Sequence, residues 1–220
     1  MGELYQQIFT RSNLLFLGKG LLMTVEIACV ATLLSLCFGT LLALVRTYCS
    51  GRFRLLGKLV AAYTEFFRCT PNLLWILWLY FTVRGSNIAV SVLAITLFTS
   101  AVMCEIFRGG LNAIPKEQFE AAQSQGFGPV RTMRYIILPQ MYRKVLPALV
   151  GQIITVIKDT SFLKMVDVPE LMRNGSVILG SIYDVRGMLM LFAFEGACYF
   201  IVCFSLSCVV RGYQKRIVRS

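Results

Sequence analysis

The fold class predicted by this sequence is all-α: an integral membrane helical bundle with five transmembrane helices, its N-terminus outside and its C-terminus inside. Three observations predict it. Of the 220 residues 57% are hydrophobic and only 15% charged, and the mean hydropathy is +0.69, whereas soluble domains are about 45–50% apolar and about 25% charged. The apolar residues arrive in long runs of about 20, the length at which a helix crosses a hydrocarbon core about 30 Å thick. Lysine and arginine collect beside alternate runs, as they do on the cytoplasmic side of inserted helices.

The runs cover residues 20–45, 59–83, 87–107, 145–163 and 188–210. Only Glu26 is charged in the first. An ionised Asp, Lys or Arg at mid-helix costs about 2.5–3.5 kcal/mol and each Leu, Ile, Val or Phe returns about 0.3–0.6, so one acid near an end does not prevent insertion. The second run carries Pro71 after Arg68 and Thr70, which predicts a kink, because proline removes a donor from the helical ladder. Trp75, Trp78 and Tyr80 toward its other end read as an interfacial belt. Arg46, Arg52, Arg54 and Lys58 follow the first run. Arg108, Lys116, Arg131, Arg134, Arg143 and Lys144 follow the third, and Arg211, Lys215, Arg216 and Arg219 the fifth. Those three regions share the inside face. The long connection after the third run is therefore cytoplasmic.

The formal charge of +11 raises nucleic acid as a partner. However, the cations flank apolar runs and form no basic aromatic platform or DNA-binding helix, so no nucleic-acid role is expected. Cys29, Cys37, Cys49, Cys69, Cys104, Cys198, Cys203 and Cys208 show no CxxC spacing, and the chain has no histidine. They read as small packing residues, with no metal expected. The start, MGELYQQIFTRSNLL, has no basic region leading to a cleavage site, so the first helix is expected to stay. Without histidine, a metal-ligand cluster or a nucleophile beside a base, an enzyme is the weakest reading. No GxxxxGK[ST] sequence is present to cradle phosphates, so ATP is not expected as a cofactor of this chain.

The stretch EAAQSQGFGPVRTMRYIILP, residues 120–139, interrupts the apolar pattern. Pro115 suits the first turn of a helix, and Gly126 suits its end, since glycine takes the left-handed conformation without a Cβ penalty. A second short helix is expected to begin near Pro129 and end near Pro139, with Pro147 marking re-entry into the membrane. Ala121 and Ala122 are small enough to let a partner approach closely, and Glu120 and Lys116 add charge at the edges. From the residues alone, a surface loop lying on lipid headgroups stands equally open.

The order Glu120, Ala121, Ala122, Gly126, Ile136, Leu138, Pro139 resembles, without a mismatch, the EAA motif of permease subunits of bacterial ABC importers. EFFRCTP at 65–71, EIFRGGLNAIP at 105–115 and IKDTSFLKMVDVPELM at 157–172 are similar to the polar amino acid branch, the histidine, glutamine and arginine permeases. Cys69 stands where that branch usually has glycine. The resemblance covers nearly the whole chain and implies a type I ABC importer permease fold, a single membrane domain of residues 1–220 with a coupling loop at 112–139. It implies Glu120, Ala121, Ala122, Gly126, Leu138 and Pro139 as ATPase-coupling residues. It also implies the bacterial cytoplasmic (inner) membrane, a second permease subunit (identical or homologous), a pair of cytoplasmic ABC ATPase subunits that use the ATP, and an extracytoplasmic solute-binding protein. The cargo implied is a polar amino acid. An amino acid derivative, opine or other small polar solute on the same fold stays open, as does, from another class, an autonomous secondary carrier or channel.

Ionisable residues inside spans are functional candidates because each is costly unless paired or wetted. Glu65 with Arg68 and Glu105 with Arg108 are each spaced i,i+3, so each pair shares a helix face. Two readings stand, a clamp between neighbouring helices and an inner gate or substrate contact. Lys158, Asp159 and Thr160 form a polar interruption at the end of the fourth run. A zwitterionic amino acid needs a carboxylate for its ammonium and donors for its carboxylate; Asp159 or Glu65 meets the first need, and Arg68 or Lys158 the second. Adjacent Lys158 and Asp159 point about 100° apart on a helix, so lining one pocket with both requires local unwinding. Glu26 and Glu195 are expected to face a second subunit. Gly39, Ala43, Gly196 and Ala197 permit close helix contact.

Overall fold

The structure is a computed structural model that describes residues 8–49 and 53–217, with side chains described up to residue 212. Arg52, Arg219, the side chains of Lys215 and Arg216, and the segment before Ile8 lie outside the described residues. Every regular element among the described residues is helical. In order these are α1 (Arg11–Tyr48), α2 (Arg54–Arg68), α3 (Asn72–Thr82), α4 (Asn87–Asn112), α5 (Lys116–Ser124), α6 (Pro129–Thr132), a π turn (Met133–Ile137), α7 (Leu138–Asp159), a 3₁₀ segment (Thr160–Val166), α8 (Leu171–Leu179) and α9 (Val185–Ile217).

Among the described residues four helices are long and apolar enough to cross a membrane: Arg11–Tyr48, Asn87–Asn112, Pro129–Val166 and Val185–Gly212. The second predicted span is the exception. It breaks at Cys69–Pro71 into α2 and α3, and α3, at 11 residues, is about 16 Å long, roughly half of a bilayer core. Pro71 has no N–H, and its ring disfavours helical backbone at Thr70, so the expected kink becomes an interruption. α1 begins ahead of its apolar run because Thr10 caps it, its Oγ1 accepting from Asn13 N at 3.1 Å, and a capped first turn tolerates Arg11 and Asn13.

The helix expected to end near Pro139 does not end there. Pro139 is the second residue of α7, directly after the π turn in which Leu138 N–H reaches back to Met133 O. A π turn displaces the carbonyls that a proline ring would otherwise strike, so the chain runs on helically from Pro129 to Val166. Pro147 likewise sits inside α7.

The chain forms two compact units, each assembled from separate stretches. One comprises Leu33–Pro71 and Thr96–Gln152. Its core gathers Ala43, Met103, Cys104, Phe107, Leu111, Ile137, Met141 and Val145. Gly39 belongs here, and a Cβ on it would lie 2.7 Å from that of Met103. Gly39 and the fully buried Ala43 therefore serve packing within the chain, whereas Gly196 and Ala197 are exposed. The other unit comprises Met1–Thr32, Asn72–Ile95 and Ile153–Ser220, with Ile8, Leu17, Leu171, Ile178, Ile182 and Leu191 as a core.

Candidate functional site

In the first unit the corner is built by the residues that interrupt the apolar pattern. α5 starts after an extended Pro115 and stops at Gly126, whose φ of +79° is a left-handed conformation that a Cβ would strain. Phe127 N then returns to Ala122 O at 3.0 Å, and α6 opens with Pro129 at its first turn. Glu120 and Ala121 are exposed, but Ala122 is 3% exposed and packs inward. Its small size thus serves the fold, and the outward face is that of Glu120 and Ala121. Pro139 is also exposed, and Leu138 is half-buried against the core. Beside the corner lies an open groove of about 510 Å³ lined by Tyr48, Phe119, Phe127, Val130 and Met133 among others. Two bonds fasten the corner to α7, Lys144 Nζ to Ala113 O at 2.7 Å and Gln140 Nε2 to Gln118 Oε1 at 3.1 Å.

The same unit brings the two i,i+3 pairs to a third cation, Arg46 at the end of α1. Arg46 Nη1 donates to Glu105 Oε1 and, at 2.6 Å, to Thr64 Oγ1. The other Glu105 oxygen accepts from Arg108 Nε and Nη2 at 3.0 and 2.8 Å. Glu105 thus sits between two guanidinium groups. Glu65 is held loosely, 3.7 Å from Arg68 and 4.0 Å from Arg46, and its side chain is 57% exposed.

In the second unit Asp159 is half-buried and accepts from Asn72 Nδ2 at 3.1 Å. Lys158 is exposed. Thr160 is fully buried, with its hydroxyl donating to Ile157 O at 2.7 Å. The helix changes to 3₁₀ geometry at Thr160, one residue beyond Asp159, so Lys158 and Asp159 remain on α-helical backbone and diverge.

This unit also holds two buried acids. Glu170 caps α8, accepting from Met172 N at 2.9 Å and Arg173 N at 2.7 Å, and Tyr199 Oη donates to it at 3.2 Å. Glu170 lies between the long apolar helices. Burial pushes its carboxyl up from 4.5 to about 7, against the pull of those three donors and of the Lys164 ammonium. Glu195 is 3% exposed, with one oxygen lacking a hydrogen-bond partner. It sits on Gly175, where a Cβ would come 1.4 Å from Glu195 Oε1. Glu195 is therefore enclosed by its own chain and does not face outward as expected. Glu26 is exposed.

The family model described as the inner membrane component of binding-protein-dependent transport systems matches residues 20–219. The chain belongs to that family. A probable glutamine ABC transporter permease protein, GlnP, of Bacillus subtilis (strain 168) is 33% identical over 213 residues, covering 94% of this chain and 96% of that one. A glutamate/aspartate import permease protein, GltK, of Escherichia coli O157:H7 is 30% identical, covering 93% and 94%. Among solved structures, an amino acid ABC transporter with histidines superposes with a TM-score of 0.79 at 26% identity, covering 91% and 94%. The MetNI methionine ABC transporter in an inward-facing form superposes at 0.76 and 18% identity, covering 93% and 99%. The latter likeness is one of fold.

The chain is thus a multi-pass inner-membrane permease subunit of an ABC importer, and membership implies an ATPase and a substrate-binding protein as partners. Several residues of this permease escaped the sequence reading. In the sequence Arg46 stands only as an orienting charge, and nothing in its spacing pairs it with Glu105, 59 positions away. Glu170 lies in the stretch 157–172 that carries the resemblance; the P-E-L order just before a helix is the available signal for a capping acid.

Proposed function

We propose that this permease carries a polar amino acid inward by alternating access, driven by ATP hydrolysed on a partner pair docked at the corner of α5 and α6. The observation that carries the reading is the corner itself. It is an outward-facing Glu120–Ala121 helix, fixed by a left-handed Gly126 and bonded to α7, in a chain whose relatives are named as glutamine and glutamate/aspartate permeases. The complete assembly contains a second permease subunit, two ATPases on the cytoplasmic face and an extracytoplasmic binding protein, with the C-terminus of this chain inside. Closure of the ATPases moves the corner, and the helices that share its core move with it.

Residues 112–139 are the coupling loop, with Glu120, Ala121 and Gly126 at the contact and Ala122, Leu138 and Pro139 shaping it from within. Along the pathway, Asp159 offers a carboxylate oriented by Asn72 to a cargo ammonium, with Lys158 and Thr160 beside it in sequence. The loosely held Glu65 and Arg68 serve as an exchangeable gate pair, and Glu105 as its fixed neighbour. Purifying the assembly from its native membrane tests the reading. An ATPase and a binding protein that co-elute, with a polar amino acid bound to the latter, are expected; an assembly without an ATPase contradicts it.

A further inference from the structure

Arg46 is 17% exposed at its side chain and Glu105 15%, so their ion pair is largely removed from solvent. Such a pair stabilises only when its remaining hydrogen-bonding capacity is met. Here it is met. Arg46 also donates to Thr64 Oγ1 at 2.6 Å, the Thr64 hydroxyl donates in turn to Ala61 O at 2.9 Å, and the second Glu105 oxygen accepts from Arg108. One guanidinium therefore joins α1, α2 and α4, with Nη1 directed at both Thr64 and Glu105 and Nη2 lying 4.0 Å from Glu65. The residues around it belong to the core that holds the corner. Ala43 and Cys104, one turn or less from Arg46 and Glu105, share a cluster with Phe107, Leu111 and Ile114, against which Phe119 of α5 packs.

We propose that Arg46 is a positioning residue for energy coupling: by holding Glu105 and Thr64 together it makes α1, α2 and α4 move as one body with the corner. The proposal rests on the reading that a partner ATPase drives the corner. Glu65, 4.0 Å from Arg46 and mostly exposed, is the end of the network free to change partners while the Arg46–Glu105 tie persists. Without the tie, motion of the corner is absorbed by sliding between helices, and ATP is spent without transport.

The test reconstitutes the complete assembly in proteoliposomes with loaded binding protein and measures uptake and ATP hydrolysis together. Arg46→Gln is expected to assemble and hydrolyse ATP while uptake per ATP falls at least about 10-fold, a loss within the usual range of coupling between sites. Arg46→Lys, which keeps the charge but not the fork, is expected to lose about 3-fold. Uptake per ATP equal to wild type in Arg46→Gln overturns the proposal. Where that variant fails to assemble, Arg46→Lys decides, a lowered ratio supporting the tie and a wild-type ratio overturning it. A purely structural role would lower the yield of assembly and leave the ratio unchanged. Wild-type vesicles assayed with and without ATP separate the two levels. ATP-independent wild-type uptake sinks the underlying reading, whereas ATP-driven uptake with an unchanged ratio in the variants sinks only the role of Arg46.

Discussion

The two units bury acids in opposite ways. In the unit of Leu33–Pro71 and Thr96–Gln152, Glu105 is neutralised by two arginine side chains on separate helices. In the other, Glu170 and Glu195 have no salt bridge among the described residues, and Glu170 depends on backbone N–H groups and a tyrosine. An ion pair between long side chains can be exchanged during a conformational cycle; a carboxylate capping a helix cannot leave without undoing that helix. The first unit thus holds its buried acid through side chains alone, and the second through the backbone that the acid caps.

The largest effect is expected where the second unit packs an acid against a glycine. Gly175→Ala places a methyl 1.4 Å from Glu195 Oε1, so the buried carboxylate must swing aside, and overpacking of this kind costs about 1–3 kcal/mol. The melting temperature of the purified assembly reports it, and an unchanged value would show that the seat of Glu195 is adaptable. In the paired unit, Glu105→Gln is expected to cost about 2 kcal/mol, the loss of a buried pair reduced for its partial exposure. Glu65→Gln costs at most about 0.5 kcal/mol, as exposed pairs do. Equal losses from both would erase the distinction between a fixed and an exchangeable partner of Arg46.

The acid of the second unit answers to pH. With the Glu170 carboxyl at about 7 in the folded chain against an ordinary 4.5, the folded state holds the proton more tightly. Its contribution to stability is therefore full below about 4.5 and lost as pH rises through about 7. Melting of α8, followed by amide exchange at Arg173 and Asn174, is expected to become easier over that window. In Glu170→Gln the dependence flattens; a wild-type profile in that variant removes Glu170 as its source.

Much of this fold was legible because it rests on length and order. Four of the five apolar runs are long helices, and Gly126 ends α5 in the left-handed conformation that its position implied. The break at Cys69–Pro71 was anticipated only as a kink, since sequence shows that proline removes a donor but not whether the helix resumes in line. The continuation through Pro139 was missed because a π turn has no residue signature. Arg46 and Glu105 were each visible, yet their pairing is tertiary. Glu195 looked outward-facing because a charge on an apolar helix carries no mark of the glycine, 20 positions earlier, that encloses it.

The corner is proposed to receive the ATPase stroke, and Gly126→Val probes it with least disturbance elsewhere, since no atom lies within 4 Å of the position a Cβ would take. Strain at a φ of +79° is expected to distort the corner. Reconstituted with its partners and loaded binding protein, the variant is predicted to lose ATP-driven uptake at least about 10-fold. Assembly and ATP-coupled uptake at the wild-type level would contradict the account.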